Sequence, residues 1–237
     1  MEHGKTKKNH PETRFRMRVS PTAVLLFGGT AAWAASGHGG TDCPAALAVL
    51  VLAALLHEMG HVVAARLCRV RISGMRLDLF GARLQLPGML SYRQESAVAL
   101  GGPAANLLTA AALLPAWMRC DCPLYGVTPE LSGGGLVLGG LLPASLGLCA
   151  VNLLPVATLD GGRALCCLLS LWLDADAAGR ILRFLSFLLL SALWLLSVYA
   201  LLRVGQLLSL FVFSFCLLMR CMGCGASNTR FQPRDLR

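Results

Sequence analysis

Charged residues are scarce in this chain. They make up 14% of its 237 residues, whereas about a quarter of the residues in a typical globular domain are charged. So few charged side chains cannot cover a water-exposed surface, which argues against a soluble enzyme. Intrinsic disorder is excluded as well, because 56% of the residues are hydrophobic. The composition predicts a polytopic membrane protein whose surroundings are the lipid bilayer.

Acidic residues are few compared with basic ones, 12 against 21, which gives a formal net charge of +9. In a soluble protein this balance would suggest nucleic-acid binding. Here the basic residues fall between apolar blocks, and no face alternates them with aromatic residues. We therefore expect no nucleic-acid partner and attribute the charge to orientation in the membrane.

Six apolar blocks have, or nearly have, the length of about 20 residues that a membrane span needs. They cover residues 22–37, 44–65, 96–118, 134–155, 184–202 and 204–219. We predict an all-α polytopic membrane protein of about six transmembrane helices. One embedded domain, 22–219, would lie between a basic cytoplasmic tail, 1–21, and a short cytoplasmic tail, 220–237.

The basic residues predict the orientation of these spans. Nineteen of the 21 fall on one side of the membrane, and Arg119 and Arg203 fall on the other. Because Lys and Arg stay in the cytoplasm during insertion, both termini are predicted to be cytoplasmic. The first block also has features of a secretory signal, but its long basic flank favours retention as a span.

His57, Glu58 and His61 form the pattern H-E-x-x-H in the second block. Residues four apart share a helix face, so both imidazoles can bind one ion while Glu58 serves as a general base, as in zinc peptidases. The alternative is two structurally satisfied histidines and a glutamate on an ordinary helix. A carboxylate inside a span costs about 2.5–3.5 kcal/mol on insertion scales, so three ionisable groups in five positions favour a metal site.

A catalytic zinc ion needs a third protein ligand. Asp160 is the best candidate, because it follows the fourth block and precedes two glycines that permit close backbone approach. The alternative is an ordinary Asp-Gly turn. Since the second and fourth blocks both run towards the cytoplasm, His57 and Asp160 can meet at similar depth.

Two asparagines accompany these groups. Asn106 lies in the third block, where an amide must find a hydrogen-bond partner, and it serves either helix adhesion or substrate binding. Asn152 ends the fourth block, and the residues alone do not distinguish between the same two roles.

Taken together, these motifs resemble those of site-2 proteases, which are intramembrane zinc metalloproteases. The matching segments are H-E-M-G-H at 57–61, G-P-A-A-N at 102–106, N-L-L-P at 152–155 and L-D-G-G at 159–162. The resemblance covers about residues 44–165 and is greatest to the sporulation members. It implies that His57, His61 and Asp160 bind Zn²⁺, that Glu58 is the catalytic base and acid, and that Asn152 contacts substrate or the oxyanion.

The resemblance also implies partners and a location. The substrate would be a membrane-associated protein, a sigma-factor precursor in the sporulation members, and inhibitory membrane proteins would regulate cleavage in the bacterial cell or forespore membrane. Thr158 stands where the family usually has proline, which suggests a less rigid loop. No segment has the length and polarity of a CBS or PDZ module, so regulation by nucleotide is not expected.

The connection between the second and third blocks alternates polar and apolar residues around Phe80 and Gly81, which predicts a small membrane-associated β-hairpin. It would either rest on lipid or pair with an extended substrate. Five of the ten cysteines are expected to be apolar fillers, namely Cys68, Cys149, Cys166, Cys167 and Cys216. Cys43, Cys120 and Cys122 fall on the outer side and could pair. Two alternative functions remain at this point, a metal-ion transporter and a membrane scaffold with a structural metal site.

Overall fold

Long apolar segments fold as helices in this chain, because only a helix satisfies all backbone hydrogen bonds within one segment in lipid. The computed structural model describes residues 16–19, 42–72, 74–78, 81–85, 90–119, 133–204 and 208–224. Its helices are α1 (Asp42–Leu67), α2 (Tyr92–Arg119), α3 (Gly133–Asn152), α4 (Asp160–Leu169), α5 (Ala175–Val204) and α6 (Leu208–Cys224). The predicted, mostly helical architecture is confirmed.

Five of these helices coincide with the second to sixth apolar blocks, whereas α4 was not predicted. Three segments, Ala46–Leu67, Tyr92–Arg119 and Ala175–Arg203, are long and apolar enough to cross a membrane, and Gly139–Asn152 is a shorter apolar helix. The predicted first span, 22–37, lies outside the described residues.

Helix α2 is the centre of the fold, since it packs against α1, α3 and α4. The backbones of α1 and α2 touch where Gly60 faces Gly101. A Cβ atom on Gly60 would collide with the Gly101 carbonyl oxygen, and one on Gly101 would lie 2.6 Å from Cβ of Ala64. Small residues permit such close approach of helices in lipid.

A three-stranded sheet lies beside this helical core. It consists of β1 (Arg16–Val19), β2 (Gly74–Asp78) and β3 (Gly81–Gln85), in the order β1-β2-β3. Strands β2 and β3 pair antiparallel within the connection that showed alternation, and β3 lies against α1. Strand β1, from the basic amino-terminal segment, pairs parallel with β2 and was not predicted. Strand β2 is therefore the central strand, and β1 and β3 form the edges.

An apolar cluster supports the turn between α3 and α4. Val156 and Leu159 of this turn are buried against Leu190 of α5 and Leu217 of α6. The last two helices thus pack behind the segment that leads into Asp160.

Candidate metal centre

Helix α1 presents two imidazoles from one face. His57 and His61 are one helical turn apart and buried, and their Nε2 atoms lie 3.2 Å from each other. This is the arrangement expected for residues four apart on a helix.

The first residue of α4 completes a triangle of donor atoms. Oδ2 of Asp160 lies 3.0 Å from Nε2 of His57 and 3.2 Å from Nε2 of His61. Within the described parts of the chain, these three side chains are the one group of His, Cys, Asp or Glu whose ligand atoms could hold a metal ion together. Segments 103 residues apart in sequence therefore meet at one point.

Hydrogen bonds from α2 orient both imidazoles. Nδ1–H of His61 donates to the backbone carbonyl oxygen of Val98 at 2.8 Å. A carbonyl can only accept, so Nδ1 carries a proton and Nε2 is the ring nitrogen left to face an ion. His61 is therefore oriented as a metal ligand requires.

Asn106 is the residue of α2 that orients His57. The side chain is fully buried, and its Nδ2 lies 3.2 Å from Nδ1 of His57. Its Oδ1 is buried and makes no hydrogen bond to the described residues. A half-turn of the amide would place Oδ1 beside Nδ1–H, which would leave Nε2 of His57 free for an ion. This position favours a role in orienting His57 over direct contact with substrate.

Gly102 leaves open the space in front of the histidines. A Cβ atom on this residue would collide with Nε2 of His61 and would lie 2.6 Å from Nε2 of His57. Any larger side chain at position 102 would therefore displace the ring nitrogens of both histidines.

The carboxylate side of the group is positioned by the backbone. The loop from Leu153 to Val156 packs directly on the first turn of α4, where a Cβ on Gly161 or Gly162 would collide with a backbone carbonyl oxygen. A hydrogen bond to Ser186 of α5 supports this loop, because the Ala157 N–H donates to its Oγ at 2.9 Å. The Ser186 hydroxyl itself donates to the Leu182 carbonyl on its own helix at 2.7 Å.

The histidines also determine the charge state of Asp160. Burial alone would raise its pKa, but hydrogen bonds from His57 and His61 outweigh that effect and hold the pKa well below its usual value. The group is thus an anionic oxygen donor next to two nitrogen donors.

Glu58 and Asn152 have less direct positions. Glu58 follows His57 on α1, is half-buried, and interacts electrostatically with His61. Asn152 is half-buried at the end of α3, where its amide donates to the Leu148 carbonyl at 3.0 Å. The catalytic role of Glu58 and the substrate-binding role of Asn152 stay predictions.

The cysteines of the described segments do not join this group. Cys149 and Cys167 are buried, and burial together with nearby Glu95 raises the pKa of the Cys167 thiol to about 12. A thiol with so high a pKa is neither a good nucleophile nor a good metal ligand.

Three contributors to the site were not assigned their roles from the sequence. Gly102 begins the G-P-A-A-N segment, but nothing there indicated contact with the histidines, and the Val98 carbonyl is a backbone group that every residue carries. Ser186 could have been noticed as a hydroxyl in an otherwise apolar segment, because such a group needs a partner in lipid.

Comparison with known proteins finds relatives on part of the chain. No protein-family model matches it. It is 35% identical over 123 residues to a Mycobacterium tuberculosis protein named zinc metalloprotease Rip3, covering 49% of this chain and 29% of that protein. It is 32% identical over 158 residues to stage IV sporulation protein FB of Bacillus subtilis, covering 65% of this chain and 51% of the relative.

The fold has a counterpart among solved structures. The site-2 protease from Methanocaldococcus jannaschii superposes with a TM-score of 0.63 and 19% identity, over 87% of this chain and 89% of that one. This likeness establishes a shared fold. The two sequence relatives, for their part, agree with the resemblance that the motifs suggested.

Proposed function

We propose that this chain is a member of the site-2 protease family, an intramembrane zinc metalloprotease that hydrolyses a peptide bond in a membrane-associated protein. The observation that carries the proposal is the triangle of donor atoms from His57, His61 and Asp160, with sides of 3.0, 3.2 and 3.2 Å. Ligands at about 2.0–2.1 Å in a tetrahedral zinc site are about 3.3 Å apart. The triangle therefore has the size of one face of such a tetrahedron.

The chemistry of the donors and the space around them fit zinc as well. Two imidazole nitrogens and one carboxylate oxygen form the ligand set of many zinc hydrolases. The missing side chain of Gly102 leaves room beside both Nε2 atoms. His57, His61 and Asp160 would hold the ion, which when bound supplies Lewis acidity towards water and a peptide carbonyl.

Glu58 would carry the proton during hydrolysis. Its carboxylate would accept a proton from the attacking water and return it to the amine nitrogen of the leaving peptide. The side chain is suited to this because it neighbours His57 on α1 without belonging to the triangle. A half-buried carboxylate in an apolar helix also needs a functional reason, since its insertion is unfavourable.

The substrate would be bound as an extended segment. Proteases act on unwound peptides, and strand addition holds such a segment through backbone hydrogen bonds. Because β2 is paired on both edges and β3 lies against α1, we assign this role to the edge of β3 that faces away from β2 and has no strand partner among the described residues. Asn152 would hold the substrate or the developing oxyanion, from the end of the helix that precedes Asp160.

We further propose a multi-pass arrangement with six spans and both termini in the cytoplasm. The three long apolar helices support membrane insertion, and the distribution of basic residues supports the orientation. Residues 22–37 would form the first span, and the sheet would lie at the membrane surface. A sporulation sigma-factor precursor as substrate, a forespore membrane as location and inhibitory membrane partners are part of the same proposal and rest on the resemblance of the motifs. The match to stage IV sporulation protein FB supports only the link to sporulation.

The test is reconstitution of the full chain with a membrane-tethered candidate substrate, alongside the variant Glu58→Gln. General base catalysis contributes about 10²–10⁴-fold to rate. We expect the variant to keep its zinc, measured by metal analysis, and to lose cleavage by at least about 100-fold. His57→Ala, as the matched control, should lose both zinc and cleavage.

Full cleavage by Glu58→Gln would overturn the assigned mechanism. Zinc uptake into vesicles that survives Glu58→Gln, without cleavage by the native chain, would identify a transporter. A chain that binds zinc but neither transports it nor cleaves would be the scaffold of the third interpretation.

A further inference from the structure

The two oxygens of Asp160 have different neighbours. Oδ2 faces both histidines, whereas Oδ1 lies 3.9 Å from the Nη1 atom of Arg163. Arg163 is three residues further along α4, so its side chain lies on the same face of the helix as Asp160. The positive charge therefore lies beside Oδ1, whereas the candidate ligand atoms lie beside Oδ2.

Arg163 is itself connected to α2. Its Nη2 atom lies 3.6 Å from Oε1 of Glu95, in the first turn of that helix. Cys167, one turn further on α4, also forms a hydrogen bond with Glu95. The Asp160 and Glu95 side chains are 16% and 20% exposed, so the contact is only partly open to solvent screening, although Arg163 itself is 40% exposed.

Glu95 belongs to a row of residues on α2 that all contact the candidate site or its neighbours. Glu95, Val98, Gly102 and Asn106 follow one another at helical spacing and occupy one stripe of the helix. From this stripe, Val98 orients His61, Asn106 contacts His57, and Gly102 leaves the space between them. Glu95, through Arg163, extends the same support to Asp160.

We propose that Arg163, anchored by Glu95, is a positioning residue that keeps Oδ2 of Asp160 turned towards the histidines. This inference rests on the proposed metal site. A carboxylate can rotate and offer either oxygen, or both, to an ion. A guanidinium beside Oδ1 favours the orientation in which only Oδ2 faces the triangle, so that the site keeps one position open for a reactant.

The experiment measures zinc and cobalt(II) affinity of the full chain in detergent by competition titration. The visible absorption of bound cobalt(II) reports the coordination geometry. Outer contacts of this kind change metal affinity by about 10–100-fold. Because the pair is partly exposed, we expect Arg163→Gln to weaken zinc binding about 10-fold and to alter the cobalt spectrum. Arg180→Gln, which removes an exposed arginine from α5, is the matched control and should change neither.

Exchanging the charges of Glu95 and Arg163 distinguishes a positioning role from an ion pair that only joins the two helices. The double variant Glu95→Arg with Arg163→Glu restores an ion pair between α2 and α4 but places a negative charge beside Oδ1 of Asp160. We expect its zinc affinity to be as low as that of Arg163→Gln or lower. Recovery of native affinity and of the native cobalt spectrum would show that the contact merely joins the helices, and would overturn the proposal.

The remaining outcomes are also decisive. Native affinity in Arg163→Gln would overturn the positioning role while leaving the proposed protease intact. A native chain that binds zinc but does not cleave would overturn the proposed activity and leave the affinity comparison valid. A native chain that binds no zinc would overturn both. Thermal unfolding of the metal-free variants, expected to match the native chain, excludes a folding defect as the cause.

Discussion

The two sides of the candidate metal centre are supported in different ways. On the histidine side, α1 and α2 touch backbone to backbone at Gly60 and Gly101, and α2 supplies a hydrogen-bond partner to each ring. On the aspartate side, the loop before α4 is packed between apolar side chains of α5 and α6, including Leu190 and Leu217. One side depends on directional polar contacts and the other mainly on packing.

The difference follows from the degrees of freedom of each ligand. An imidazole can rotate and can hold its proton on either nitrogen, so only a directional partner selects the orientation and tautomer that a metal needs. Asp160 has a short side chain at the start of a helix, so the position of its carboxyl group is largely fixed once the backbone is placed, and only the choice of oxygen is left to Arg163. Apolar packing of Val156 and Leu159 is sufficient to place that backbone.

The largest effect is expected where the two sides meet. Gly102→Ala inserts a methyl group between the Nε2 atoms of His57 and His61. Overpacking costs about 1–3 kcal/mol in general, and here the atoms displaced are the ring nitrogens of both candidate ligands. We therefore expect zinc affinity to fall by about 100-fold or more, measured by competition titration.

Gly147→Ala provides the matched control for this substitution. Gly147 lies in the apolar helix α3, and a Cβ atom there would meet nothing within 4 Å. This variant should bind zinc like the native chain. Native zinc affinity in Gly102→Ala would contradict the assignment of the space beside the histidines to an ion.

A smaller effect is expected from the hydrogen bond on the histidine side. Asn106→Leu keeps the approximate volume of the buried side chain but removes its polar atoms, so His57 loses the partner that selects its tautomer. Zinc affinity should fall by about 10–100-fold. Asn106→Asp keeps an acceptor oxygen for Nδ1–H and should bind zinc more tightly than the leucine variant. Equal affinities in the two variants would show that Asn106 only fills space.

The sequence predicted the ligands of this site better than their supports. Spacing within one helix brings His57 and His61 together wherever that helix forms, and the direction of the spans places Asp160 at similar depth. The first argument needs only the spacing within one helix, and the second needs only the direction of the spans. The observed distances between the three side chains agree with both arguments. The apolar blocks likewise predicted five of the helices, because the length of an apolar run is itself the signal.

The parts that were not predicted depend on contacts between distant segments. Strand β1 pairs with β2 through backbone groups, which every sequence has. Helix α4 is short and begins at Asp160, for which the alternative interpretation was an Asp-Gly turn. Thr158, in place of the usual proline, suggested a less rigid loop, yet the structure packs this loop against α4 and α5. Such packing has no pattern in the local sequence.

The smallest of the expected effects concerns the aspartate side. Ser186→Ala removes the acceptor of the Ala157 N–H, and an unpaired buried donor costs about 1–3 kcal/mol. The free energy of unfolding in detergent should fall by about this amount. Zinc affinity should change less than in Asn106→Leu, because the apolar cluster around Leu190 still holds the loop.

Ser197 offers a matched control on the same helix. It is also fully buried, but its hydroxyl donates to the Trp194 carbonyl and contacts Ser214 of α6, not the loop before Asp160. Ser197 and Ser214 each have a single hydroxyl proton, and each can donate it to a carbonyl on its own helix. The contact between the two hydroxyls therefore contributes little to the free energy of unfolding. Ser197→Ala should change the free energy of unfolding by about 0.6 kcal/mol or less and leave zinc affinity unchanged. Ser186→Ala could instead lower zinc affinity as much as Asn106→Leu does. The aspartate side would then depend on directional contacts as strongly as the histidine side, and the proposed difference between the two sides would be wrong.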